Sequence, residues 1–483
     1  MPSTASTPRP GQLAAILGAL DRRYRIAAAP AHAADAATTH AGHPAAQLAL
    51  VIERARVALQ DGAAPAPTRA PDLALPRAVT LDTTLKNAFL DALARLIQEA
   101  LRPVHGDPAF QAMVLRHRVP RVREYASLSA HADQDRRLVL AGINAVAHPG
   151  KRQRLPPGTL REQLERLHAD AALENWAALA DGARLCLATP DLEPAAPIAR
   201  GLARLLDDPA LARLQRLATL AGDDQVRQYD ALWEQLGPRS GSPQAAALGK
   251  TTQRRGAVVE ALAAQALESW ARRLGEADGD ASAYRVATSL RVPAALAGNA
   301  DRAKTEWDVV LLRRAPAEAW DICLVAEAKS SIDAATTDYP RLRRGLRLLA
   351  QADDQVCYAF ASQQGSVQLS GASLRALPTQ DEEMADAVLY CCDAPANEGP
   401  RLLNAASRMQ LLSAPASLAY AARLTEHGPA DAATLAPVWD DLLSSAQWRS
   451  VLQQYATLRQ VRELMVHVDD MASAAAAHPT ASR

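Results

Sequence analysis

The chain has 483 residues, with 53 Lys+Arg against 53 Asp+Glu, 49% apolar residues and only 4% aromatic ones. That length suits roughly two to four domains, the balanced charge excludes a uniformly basic nucleic-acid binder, so any basic surface must be local, and apolar content drawn mainly from Ala and Leu favours helix. Five scattered cysteines without CxxC spacing exclude a disulfide framework or a cysteine zinc site and fit a reducing cytoplasm.

Residues 1–78 are biased towards Ala, Pro, Thr and His. Helices are expected at Gly11–Tyr24 and Pro44–Gln60, joined by flexible tracts. No basic segment followed by a long apolar run opens the chain, so no secretory leader is expected. No run reaches the roughly 18 apolar residues of a membrane span either. From 79 to 236 the periodicity is helical. Leu85, Phe89, Leu93 and Leu96 recur at helix spacing behind a cap at Asp82 or Thr83. Further helices are expected at Asp107–Arg118, Gln134–Ala147, Gly158–Ala188, Ala195–Leu206, Pro209–Leu220 and Asp224–Leu236.

A Gly-Pro-Ser cluster at Gly237–Pro243 marks a boundary, and 237–249 reads as a linker. The texture changes over 250–395. Thr252–Leu274 predicts a helix with a stripe of Val259, Leu262, Ala263, Ala266, Leu267 and Trp270. Strands are expected at Tyr284–Leu290, Glu306–Arg313, Ile322–Lys329, Gln355–Ser362 and Ala387–Cys392. A helix at Pro340–Ala352, capped by Asp338, separates the third from the fourth. That crossover would pair those two strands in parallel. Residues 396–483 read as a helical C-terminal extension, with the strongest helix at Ala446–Val468.

The chemistry concentrates on two strands. Thr305–Leu312 carries Asp308 early in an apolar run, and Cys323–Lys329 closes on Glu327-Ala328-Lys329. Residues two apart in a strand share a face, so Glu327 and Lys329 project side by side. Charges in such surroundings must be paired or bind metal. Asp308 and Glu327 are hard oxygen ligands suited to Mg²⁺ or Mn²⁺, and Lys329 could stabilise negative charge beside them. The plainer alternatives are that Asp308 pairs with Arg313 and that Glu327 and Lys329 form the polar end of a buried strand. Glu306, at the strand's start, reads as the opposite-facing neighbour of Trp307 and not as a ligand; it shares a face with Asp308 only if the strand is regular there. Arg341, Arg344 and Arg347 share a helix face that, with Arg254 and Arg255, could contact phosphates or be an ordinary solvated surface. No HExxH, Gly-x-Ser-x-Gly or complete phosphate loop occurs.

This constellation resembles the PD-(D/E)xK nuclease superfamily over roughly Gln253–Asp393. The resemblance rests on Glu306-Trp307-Asp308, Glu327-Ala328-Lys329, the order helix, three strands, helix, strand, and an acid, Glu260, on the first helix. Trp307 stands where the family's proline would precede the aspartate. The resemblance implies an α/β core of restriction-endonuclease type, a mixed sheet flanked by helices, here with an all-α N-terminal region and a helical C-terminal extension. It also implies a Mg²⁺-dependent deoxyribonuclease: Asp308, Glu327 and Lys329 catalytic, and Glu260, Asp308 and Glu327 holding Mg²⁺ or Mn²⁺. Its substrate would be DNA, with RNA an alternative, and its setting anti-phage defence, restriction or repair. The rival expectation is a catalytically inactive nucleic-acid-binding or scaffold protein acting through its helices, which are candidates to recruit a protein partner or a second copy of the chain.

Overall fold

A computed structural model describes residues 11–26, 43–63, 83–189, 192–193, 196–237, 242–297, 302–316, 318–396 and 401–476. The linker tracts expected between the first helices, and all of residues 64–82 with the expected cap Asp82, lie outside the described residues. The helices used below are α1 (Gly11–Ala19), α2 (Pro44–Ala63), α3 (Thr83–Ala100), α4 (Pro108–Arg118), α5 (Pro120–Ser129), α6 (Ala132–Ala147), α7 (Thr159–Ala172), α8 (Trp176–Leu187), α9 (Pro197–Asp207), α10 (Pro209–Ala221), α11 (Asp224–Glu234), α12 (Pro243–Asp278), α13 (Ile332–Leu349), α14 (Ala405–Ser413), α15 (Pro415–His427), α16 (Ala436–Ser444), α17 (Gln454–Leu464) and α18 (Val468–Ala476). The strands are β1 (Tyr284–Arg291), β2 (Glu306–Arg314), β3 (Trp320–Ala328), β4 (Cys357–Ser362), β5 (Gly365–Ser370), β6 (Val388–Cys392) and β7 (Met465–His467).

The chain divides into two compact units. One comprises residues 1–96, 239–411 and 435–483; the other comprises 97–238 and 412–434. The second is all helix. Its larger core gathers Val139, Ile143, Leu164, Leu179, Leu202 and Leu214 from α6 to α10. The single helix expected over Gly158–Ala188 is two, α7 and α8. Between them Glu174 adopts φ 57°, a left-handed conformation that interrupts the ladder, and Asn175 caps α8 through its side chain.

The first unit holds the mixed sheet, in the order β2-β1-β4-β5-β3-β6-β7. β2 also pairs with β3, so β2-β1-β4-β5-β3 closes into a five-stranded barrel. The closure is thin, with β1 meeting β4 at Arg291 and Ala361 and β3 meeting β5 at Trp320 and Leu369. β1, β2 and β3 form an antiparallel meander, and β6 runs parallel to β3 with Glu327 opposite Tyr390. The expected parallel pairing of the third and fourth strands is therefore corrected. β4 forms a hairpin with β5, which was not anticipated, and the parallel partner of β3 is β6. β5 escaped notice because its alternation rests on only two apolar residues, Val367 and Leu369.

Two apolar layers cover the sheet. On one face α12 lays Val259, Ala263, Leu267, Trp270 and Leu274 against Val309, Leu311 and Leu324. Leu262, assigned to that stripe, is 39% exposed. On the other face Leu342, Leu346 and Leu349 of α13 pack with Trp307, Val310, Val325 and Tyr390. α13 begins eight residues before the expected Pro340, because Ser331 caps it by accepting a hydrogen bond from the Ala334 N–H at 3.1 Å. Asp338 is thus a residue within the helix and not its cap, and Pro340 is tolerated inside it, where the buried leucines beyond outweigh one missing backbone bond. The expected helix Ala446–Val468 breaks into short pieces, and Met465–His467 becomes β7, parallel to β6. Among the described residues no helix is long and apolar enough to cross a membrane.

Candidate functional site

Asp308 and Glu327 lie on adjacent antiparallel strands, one step beyond the paired residues Val309 and Ala326. Strand alternation places both on the α13 face of the sheet, and Lys329 follows two residues after Glu327 on that same face. Lys329 is just past the end of β3, yet its N–H still donates to the Cys391 carbonyl at 2.9 Å, which extends the parallel pairing with β6 and fixes where its side chain departs. Lys329 Nζ stands 3.1 Å from Glu327 Oε2 and 3.5 Å from Asp308 Oδ2. The three residues picked out of the sequence therefore meet.

Two further charges join them. Lys304, on the segment entering β2, pairs with Glu327 and stands 3.8 Å from Asp308. Asp338, one and a half turns into α13, lies 3.4 Å from Lys329 and 4.0 Å from Lys304, and its Oδ2 accepts from the Tyr390 hydroxyl at 3.3 Å. The result is three carboxyls around two ammonium groups. Glu327 is completely buried, the Lys304 side chain is 8% exposed, and Asp308, at 23%, is the opening to solvent.

Backbone contacts hold this arrangement. The Ala328 N–H donates to Asp308 Oδ2 at 2.9 Å, while Glu327 Oε1 lies 3.5 Å from the Asp308 backbone N. Each acid thus engages the other's strand. The Lys304 segment is tied to α13 by its own N–H donating to the Arg341 carbonyl at 3.2 Å and by the Arg344 guanidinium donating to the Arg302 carbonyl at 2.9 and 3.0 Å. It also packs on Gly345, where a Cβ would stand 2.8 Å from the Lys304 carbonyl oxygen.

The electrostatics follow from burial and charge count. Burial pushes Glu327 up to about 8; Asp308 adds to the rise, and the two lysines only partly oppose it. With one carboxyl in excess over ammonium, the most buried acid is the one that keeps a proton. Burial also pushes Asp308 up, but Lys329 and Lys304 outweigh it and leave Asp308 below the usual carboxylate range. Burial acts to lower Lys329, and Glu327, Asp308 and Asp338 more than offset this, so its ammonium is held above the ordinary lysine value. Glu260 on α12 is raised by burial first and then by Asp308 and Glu306, which places it within electrostatic reach of the site.

Of the arginines proposed to contact phosphate, Arg255 is engaged by Asp393 at 2.8 Å, and Arg344 is committed to the Arg302 carbonyl. Arg341 is exposed and 3.9 Å from Asp338, and Arg254 and Arg347 are exposed. The alternative partner for Asp308, Arg313, faces Asp321 at 3.8 Å instead. Glu306 stands 3.6 Å from Arg291.

Among the described residues no group of three or more His, Cys, Asp or Glu side chains is arranged as a ready metal cage. Mg²⁺ does not require one, since it is usually held by one or two carboxylates and keeps several waters. Asp308 and Glu327 are such a pair, and a bound dication would itself favour their ionised forms, so the donor set fits a hydrated Mg²⁺ or Mn²⁺. Sequence reasoning missed Lys304, Asp338 as a site residue, and Tyr390. The available signal was a lysine four residues before Asp308, just outside the apolar run. No family model, curated protein or solved structure matches the chain.

Proposed function

We propose that the first unit is a metal-dependent phosphodiesterase acting on DNA, with Asp308, Glu327 and Lys329 as its working residues. The observation that carries this reading is the meeting of Asp308 and Glu327, from neighbouring strands, at the Lys329 ammonium. The order of α12, three antiparallel strands, α13 and a strand parallel to the third supports the restriction-endonuclease-like core expected from the resemblance. The barrel closure by the β4–β5 hairpin is an addition to that core.

A bound divalent cation would supply Lewis-acid polarisation of the phosphoryl group and of the attacking water. Asp308, ionised and partly open to solvent, would hold it together with Glu327, and Glu260 would add negative charge from the α12 side. Lys329 stays protonated, so it cannot deprotonate water. Its ammonium instead offers fixed positive charge to the pentavalent phosphorane-like transition state and to the departing oxygen. The buried surroundings make that charge more effective than it would be in water. Plasmid degradation in Mg²⁺ tests the reading. Asp308→Ala and Lys329→Ala should abolish it, and undiminished cleavage by both would sink the assignment.

The ion pair between Lys304 and Glu327 favours a second reading, in which the cluster is a structural tie in a nucleic-acid-binding or scaffold protein. Metal-independent DNA binding without cleavage across a range of divalent ions would favour it.

A further inference from the structure

Lys304 has no part in the chemistry described above, yet it is the most deeply placed cation of the cluster, within 4.0 Å of all three carboxyls. It is not a mobile surface lysine that folded inward. Its backbone is fastened to α13 through the Arg341 carbonyl, its neighbour Arg302 is held by Arg344, and Gly345 removes the side chain that would otherwise push the segment away. The fold therefore delivers an ammonium to the carboxylate that a metal would need. Lys329 leaves the strand on the same face but is shared more evenly among its three acids, at 3.1 to 3.5 Å.

We infer that Lys304 is an internal counter-ion that competes with a divalent cation for Glu327, so that metal loads only as Lys304 releases that carboxylate. This rests on the proposed metal-dependent reading. A fixed ammonium serves two ends before metal arrives. It shares with Lys329 the compensation of the buried Glu327 carboxyl, and it adds positive charge beside Asp308. It also opposes an incoming dication by direct Coulomb repulsion. Weak metal binding by the native protein is the consequence.

Mn²⁺ binding to the full chain, measured by calorimetry on the native protein, Lys304→Met, Lys304→Gln and Asp308→Ala, provides the test. Removing one unit charge at this separation should tighten the Mn²⁺ Kd of both Lys304 variants by roughly tenfold or more. A second readout needs no variant: pulse acetylation followed by mass spectrometry should label Lys304 more readily once Mn²⁺ is added. Equal Kd values for native protein and Lys304 variants, or Lys304 labelling indifferent to Mn²⁺, would overturn the inference while leaving the metal centre intact. Absence of Mn²⁺ binding in every protein would overturn both.

Discussion

Glu327→Gln removes the titratable proton of the most buried acid while keeping its shape. In the native protein burial holds the Glu327 carboxyl near 8, against an ordinary value of 4.5. The folded state therefore binds a proton that the unfolded chain releases between those two values. Stability from this group is present in full below about pH 4.5 and declines until about pH 8, at about 1.4 kcal/mol per pH unit. Asp308, depressed from 3.8, and Lys329, raised from 10.5, change charge outside the interval from pH 5 to 8. Glutamine carries no such proton, so Glu327→Gln should match the native protein near pH 5 and exceed it as pH rises. The ceiling on the gain is roughly 3 kcal/mol at pH 7. Urea unfolding followed by tryptophan fluorescence at pH 5, 6, 7 and 8 measures the gap, with Trp270 and Trp307 both buried in this unit. A gap that stays constant with pH, or a variant less stable than the native protein at pH 8, would refute the reasoning. The same substitution should weaken Mn²⁺ binding, so stability and metal affinity should move in opposite directions.

Tyr390→Phe removes the hydroxyl that donates to Asp338 and should cost about 0.5–1.5 kcal/mol in unfolding measurements. Gly345→Ala places a methyl 2.8 Å from the Lys304 carbonyl and 3.1 Å from the Trp307 ring. It should destabilise by about 1–3 kcal/mol, and crystallography or hydrogen exchange should find the 302–306 segment displaced from α13. Asp308→Ala and Lys329→Ala should each reduce Mg²⁺-dependent cleavage by at least about 10²-fold, the usual scale for losing a preorganised charge at a reacting centre; plasmid assays with matched protein concentrations read this directly.

Much of the sheet unit could be read from the chain because its elements carry strong local signals. The α12 stripe has the 3.6-residue period, and β2 and β3 are apolar runs whose rare charges stand out. The spacing of Glu327 and Lys329 puts them on a common face, and the 3.1 Å contact between them is expected from it. What escaped was decided by tertiary contacts. Pro340 looked like a helix start, but the helix continues through it because Tyr339, Leu342, Leu346 and Leu349 are buried on the same side. Asp338 was in consequence taken for a cap, and its place beside Lys329 was hidden. Met465–Val466–His467 fits a helical apolar pattern, yet three residues beside β6 gain more from ladder pairing. Lys304 precedes the strand and is brought in by contacts to a helix about forty residues further along, which no local pattern announces.

The remote contacts of the sheet unit also set a schedule for folding. Tyr24 accepts a hydrogen bond at its carbonyl from Arg462 at 3.0 Å and reaches the Ala394 carbonyl with its hydroxyl, while Leu13 and Ile16 share a core with Val468 and Met471. These partners are separated by 370 residues or more, with the helical unit's main segment, 97–238, lying between them in sequence. A ribosome releasing the chain at about 5–20 residues per second holds α1 without its partners for tens of seconds. The helical segment, rich in near-neighbour contacts, can settle during that wait. The carboxylate-lysine cluster cannot assemble until β6 has emerged, and its covering layer is unfinished until α17 and β7 follow. Newly made chains should therefore expose the sheet unit's apolar faces longest, and this is where chaperone capture would act.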